Sequence, residues 1–296
     1  MRRLISVLLG LAVLGLIVFW LVTMPHPRSM EAYADLTGDK VHGQEVFWAA
    51  GCASCHMAPK AEGDAEIVLA GGQSFVTQFG TFVAPNISPD KTHGIGGWTL
   101  DQFVHAVQDG ISPTGQHYFP AMPYVAYAKM APQDAVDLKA FMDTLPVSQT
   151  PSQPHQVGFP FNIRRSLGGW KLLFSSSAWV LPDAPTPMVQ RGRYIAEALA
   201  HCGECHTPRN ALGGLIRSKW LAGAPVPDGP GKVPNITPGK LTWSEDEIFS
   251  YLTTGFTPSF DSAGGSMAHV VENMAKMPES DVHAVVSYLK AIPAVP

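Results

Sequence analysis

The sequence predicts an all-α protein: two tandem copies of one small helical domain behind a single N-terminal membrane-spanning helix. Three observations carry this. An uncharged apolar run, Leu4 to Thr23, follows Arg2 and Arg3. The rest of the chain repeats itself at an offset of 145 to 150 residues. Inside each repeat the apolar residues recur at helical spacing, and no stretch alternates convincingly as a strand would.

The first segment is justified by length. Twenty helical residues at about 1.5 Å each span about 30 Å, the hydrocarbon thickness of a bilayer. A cleaved signal peptide is the alternative, but its apolar region is usually about 7–15 residues long and ends at a small-x-small site. The nearest such pattern, Ala32-Tyr33-Ala34, lies some distance beyond the run. Residues 1–30 are therefore expected to be an uncleaved anchor with a short linker. Arg2 and Arg3 stay in the cytoplasm and the rest is exported. Trp20 falls near the outer interface, where an indole is favoured.

The repeat is read by direct alignment. Ala84-Pro-Asn86-Ile-Ser-Pro89 matches Val233-Pro-Asn235-Ile-Thr-Pro238, and Trp98-Thr-Leu-Asp101 matches Trp243-Ser-Glu-Asp246. Lys129 to Pro146 matches Lys276 to Pro293 without a gap. The expected organisation is a first domain over 31–147, a connection over 148–187 and a second domain over 188–296. In each copy a first helix is expected over Gly43–Ala50 and Gly192–His201. A second follows the Trp, with Leu100, Phe103, Val104 and Val107 at helical spacing. A third runs over Pro132–Leu145 and Pro278–Ile292, with Pro in its first turn. The connection holds six prolines, too many for a simple helix or strand. Its aromatic and leucine content argues for packing between the domains, with a partner or the membrane surface as alternatives.

Composition bounds the function. The 296 residues are 46% hydrophobic and only 15% charged, which excludes a disordered chain. The 28 glycines and 26 prolines call for many turns and long ordered loops. A net charge of −4 leaves no basic footprint for nucleic acid. No G-x-G-x-x-G fingerprint of a flavin or nicotinamide domain is present.

The four cysteines all fall in one kind of motif, Cys52-Ala-Ser-Cys55-His56 and Cys202-Gly-Glu-Cys205-His206. C-x-x-C-H is the attachment signature of c-type haem. Two thiols add across the two vinyl groups of one haem, and the adjacent His reaches the iron from the same turn. A zinc site would not need a His directly after each pair. A thioredoxin-like pair would need a βαβ context, and a disulfide across two residues would be strained. The expectation is two covalent haem c groups, each in a small class I cytochrome c-like domain, with His56 and His206 as the first axial ligands.

The other face of each iron decides the chemistry, since an axial Met raises the potential and closes the site. Met122 lies 66 residues after His56, and Met267 lies 61 residues after His206. They align with each other at offset 145, and both are expected in loops before the final helix. Met130 and Met277 also align, but core packing is the simpler role for residues opening a helix. His93, His105 and His117 have no counterpart in the second copy.

These stretches, with Tyr118-Phe-Pro120-Ala-Met122-Pro-Tyr124 and Phe159-Pro-Phe161-Asn162, give a resemblance. The sequence resembles the multihaem cytochrome c subunits of bacterial membrane-bound dehydrogenases of the alcohol, gluconate and sorbitol type. It covers nearly everything after the apolar run. The resemblance implies axial ligation by Met122 and Met267 and electron delivery from a periplasmic dehydrogenase subunit to a quinone, another cytochrome or a terminal oxidase. The best-known members carry three haems, and often a C-terminal membrane segment; this chain carries two motifs. The expected function is thus a relay in the inner membrane, with no catalytic residue of its own. The alternatives are a dihaem peroxidase, a thiosulfate-oxidising cytochrome, or the dihaem subunit of a haem–copper oxidase.

Overall fold

In the computed structural model, residues 1–226 and 231–296 are described. Helix α1, Arg2–Val22, has no buried residue. Its mean hydropathy reaches 2.8. By length and composition it can cross a membrane, a property that a signal sequence shares.

The first repeat opens with α2, Lys40–Ala49, where the Asp39 carboxylate accepts the Val41 and His42 N–H groups. Helix α3, Cys52–His56, follows at once. After a two-stranded hairpin come α4, Leu100–Val104, α5, Tyr124–Tyr127, and α6, Pro132–Met142. Thr99 and Gln102 form a reciprocal cap on α4, which continues into a π-helical turn ending at Gly110. The connection carries α7, Ser166–Phe174. The second repeat contains α8, Pro187–Tyr194, α9, Gly203–His206, α10, Glu245–Thr254, α11, Ser266–Met274, and α12, Glu279–Ala291. Ser244 and Glu247 cap α10 as Thr99 and Gln102 cap α4.

In both repeats the first helix packs on the last, α2 on α6 and α8 on α12. A glycine makes each crossing possible. A Cβ on Gly43 would lie 2.0 Å from the Asp137 carbonyl oxygen, and one on Gly192 would lie 1.8 Å from that of Ala284. One apolar core runs through both repeats, holding Phe47, Phe103 and Leu138 together with Ile195, Ile248 and Tyr288.

The structure corrects several expectations. Short strands do form: β1, Ser74–Thr77, pairs with β2, Gly80–Val83, and β3, Ala224–Pro225, pairs with β4, Lys232–Val233. The helix expected to run to His201 leaves α geometry after Tyr194, passes through a π-helical turn at Ile195–Leu199, and ends. The connection contains a helix after all, because its six prolines leave residues 161–181 free of proline. Met267 stands on α11 and not in a loop, since Gly265 turns the chain directly into that helix. The connection does bridge the repeats. Lys171 Nζ donates to the Asp109 and Gly110 carbonyls at 2.5 and 2.9 Å, and Trp170 Nε1 donates to the Leu212 carbonyl at 2.8 Å.

Candidate haem sites

The first C-x-x-C-H stretch is α3 and the second is α9 with Cys202 as its N-cap, so in each copy both thiols and the imidazole come from about one helical turn. The entry to that turn is left-handed in both copies, at Gly51 (φ 64°) and at His201 (φ 42°). Glycine takes this conformation without strain; histidine is among the few other residues that tolerate it. No disulfide joins the four cysteines. Burial pushes Cys52 and Cys202 up to about 12 and Cys55 up to about 11.

The imidazoles are oriented alike. The Pro85 carbonyl lies 2.9 Å from His56 Nδ1, and the Pro234 carbonyl lies 2.8 Å from His206 Nδ1. A carbonyl only accepts, so each Nδ1 carries the proton and each Nε2 keeps a free lone pair. Burial lowers both imidazole pKa values, which favours the neutral, ligating form. Two thiols and one Nε2 on a single turn fit a covalently attached haem, with the proline carbonyl as the outer partner that fixes the ring.

Asn86 and Asn235, which follow these two prolines directly, fix the loops that carry the carbonyls. Asn86 Nδ2 donates to the Ser148 and Thr150 carbonyls, both at 2.8 Å, while its Oδ1 accepts from Ser88 N–H at 2.9 Å. Asn235 Nδ2 donates to the Val295 carbonyl at 2.9 Å, and its Oδ1 accepts from Thr237 N–H at 2.9 Å. Each Asn ties the loop bearing the proline to the tail of its repeat. The recurrence of Pro-Asn-Ile in both copies was the signal available for them.

The methionines lie on separate elements from the motifs. Met122 is half-buried in the turn before α5, and Met267 is half-buried in the first turn of α11.

The two motifs approach each other. Tyr127 stands between them: its hydroxyl donates to the Ala50 carbonyl at 2.7 Å, and its ring meets His201 edge-on at 5.7 Å. Asn273 Nδ2 on α11 donates to Ser54 Oγ inside the first motif at 2.9 Å.

A third cluster, His42 with Asp134 and Asp137, has metal-ligand spacing. Its lone pairs are already engaged. Asp137 accepts from Asp39 N–H, Gln133 and His42, and Asp134 accepts from Tyr194. It is a hydrogen-bonded brace at the α2–α6 crossing.

Comparison with known proteins places this geometry. The cytochrome c family model matches residues 41–146. A dihaem cytochrome c-type protein of Cereibacter sphaeroides is 52% identical over 296 residues, the full length of both chains. The chain belongs to the cytochrome c family. This cytochrome is also 41% identical over 261 residues to the fructose dehydrogenase cytochrome subunit of Gluconobacter japonicus, covering 85% of the chain and 52% of that subunit. It is 31% identical over 266 residues to the gluconate 2-dehydrogenase cytochrome c subunit of Pantoea cypripedii, covering 85% and 59%. The chain thus spans little more than half the length of those two dehydrogenase subunits. They are electron-transfer subunits and not the catalytic ones.

Proposed function

We propose that this cytochrome is a membrane-anchored dihaem relay. It takes electrons from a periplasmic dehydrogenase and delivers them to a quinone, another cytochrome or a terminal oxidase. The observation that carries the reading is the duplicated imidazole cradle: two C-x-x-C-H turns, each with Nδ1 tied to a proline carbonyl.

In this reading residues 31–147 and 188–296 form one haem domain each, joined by 148–187, with α1 as the anchor in the inner membrane. Haem c, when bound, supplies a one-electron iron couple. Cys52 and Cys55 hold one group through thioethers, and Cys202 and Cys205 hold the other. His56 and His206 would offer Nε2 to the irons, and Met122 and Met267 would supply the second ligands. Irons ligated on both faces would leave no open position for substrate. Tyr127, which touches both motifs, would lie between the two groups.

Mild solubilisation of native membranes tests this. The chain should carry two c-type haems, co-purify with a dehydrogenase subunit, and become reduced when that enzyme's substrate is added. The reduced protein should bind carbon monoxide poorly. One haem per chain, or peroxide turnover by the isolated chain, would overturn the proposal in favour of an enzyme.

A further inference from the structure

Helix α1 is bare along its length, yet its C-terminal end is gripped by the folded domain. Thr23 is only 2% exposed. Its carbonyl accepts from His117 Nε2 at 3.0 Å, and its hydroxyl accepts from Arg165 Nε at 3.0 Å. The Arg165 guanidinium also lies 4.0 Å from the centre of the Trp20 ring and donates to the Trp20 carbonyl. Gly168 lets α7 come this close: a Cβ there would stand 2.4 Å from the Thr23 carbonyl oxygen, while one on Gly169 would meet Thr23 Cγ2 at an ordinary 3.8 Å.

This joint fixes where the rest of α7 points. Leu172 and Leu173 follow Gly169 by three and four residues, so they share its face one helical turn further on. That turn is about 5.4 Å of rise. Both leucines are exposed, 63% and 70%, and so are Phe161 and Ile163 before the helix. Over residues 144–182 there is no acidic side chain, while Arg164, Arg165 and Lys171 are basic, in a chain whose net charge is −4.

We propose that residues 159–174 are a second membrane contact, lying in the headgroup layer of the outer leaflet beside the exit of α1. The inference rests on reading α1 as a membrane span. Trp20 then sits at the interface, and Arg165, stacked on it, sits at headgroup level. Leu172, Leu173, Phe161 and Ile163 enter the edge of the acyl region, and Arg165 faces anionic phosphates, while Lys171 stays turned to the Asp109 and Gly110 carbonyls. An apolar face flanked by basic residues is the composition that binds such a surface in plane. The occupant is a phospholipid bilayer, because the patch is continuous with the end of the apolar helix. The consequence is a fixed orientation: the haem domains do not swing on a tether but rest on the bilayer in one pose.

The test uses the full haem-loaded chain in nanodiscs of phosphatidylethanolamine and phosphatidylglycerol. Haem attachment consumes the native thiols, so single introduced cysteines at Leu173→Cys, Phe161→Cys, Leu14→Cys and Val41→Cys each take one bimane label. Emission is compared between ordinary and acyl-brominated lipids. Bimane at positions 173 and 161 should lose emission as it does at position 14, and bimane at position 41 should lose none. Quenching at 14 without quenching at 173 and 161 would overturn the second contact and leave the anchor standing. Absence of quenching at 14 would overturn the anchor, and this inference with it. Equal quenching at 41 would show unspecific collapse onto the disc and would also overturn the inference.

Discussion

Gly43→Ala is the sharpest stability test of this architecture. The new methyl carbon would lie 2.0 Å from the Asp137 carbonyl oxygen, 2.6 Å from its carbon and 2.9 Å from Phe141 Cβ. The first two are helix backbone and cannot rotate away. Ordinary contact begins near 3.4 Å, so α2 and α6 must part by about 1.4 Å. Overpacking of this kind costs about 1–3 kcal/mol. Parting the helices adds to it, because a gap of about 0.5–1 Å forfeits a quarter to a half of the attraction between lining atoms. The higher helix propensity of alanine returns about 1 kcal/mol. The net expectation is a loss of about 3 kcal/mol, or roughly 5–10 °C in melting temperature for a chain of this size. Thermal unfolding followed by helical and Soret circular dichroism measures it. Gly192→Ala, at 1.8 Å from the Ala284 carbonyl oxygen, should fall in the same way. Gly169→Ala is the control, since its methyl meets only an ordinary contact at 3.8 Å. If Gly43→Ala melted with the parent protein or above it, the crossing would not be as close as described and the reasoning would fail.

Three further outcomes are expected. Tyr288→Phe removes the hydroxyl that donates to buried Glu197 at 2.8 Å and accepts from Trp220 Nε1 at 2.9 Å; it should cost about 1–3 kcal/mol in denaturant titration. The hydrogen bond to Asp137 raises the His42 pKa above 6.5, so its stabilisation is complete below that value and is lost as pH rises through the folded pKa. Asp137 is opposed by burial, yet its N–H and His42 partners hold it below 3.8, so its own contribution is lost only as pH falls through that lowered value. His42→Gln should flatten the fall in stability that sets in as pH rises above 6.5, and an unchanged slope would remove His42 from the account. Met122→His should abolish the weak sulfur-to-iron absorption of one haem and lower its potential; retention of both would unseat Met122 as a ligand.

The parts legible in the sequence were those with a fixed period or a fixed spacing. The C-x-x-C-H turns, the Trp-led helices and the closing helices each announce themselves by residues a few positions apart. The hairpin of β1 and β2 did not, because four-residue strands with Phe75 and Val76 exposed show no buried-face alternation. Helix α7 was hidden by its flanks: prolines at 160 and 182 bracket it, and the count of prolines over the whole connection masked the gap between them. The roles of Asn86 and Asn235 depend on tails some sixty residues away, Ser148 and Val295, which no local pattern encodes. Met267 was placed by alignment with Met122, yet alignment says nothing about backbone, and Gly265 starts a helix where the first repeat keeps a turn.

The apolar core that crosses from one repeat to the other has a consequence for how the molecule comes apart. Tyr194 of the second repeat donates to Asp134 of the first at 2.5 Å, Lys276 of the second sits 3.8 Å from the centre of the Trp48 ring, and the side chains beneath them form one continuous cluster. Neither repeat has a complete surface of its own, so neither can melt while the other stays intact. Calorimetry should therefore record a single transition, with a van't Hoff enthalpy equal to the calorimetric one. A nick in the connecting segment should leave the two pieces associated. Two repeats that share one core should stand or fall together: damage at one candidate haem seat should be felt in the stability of the other.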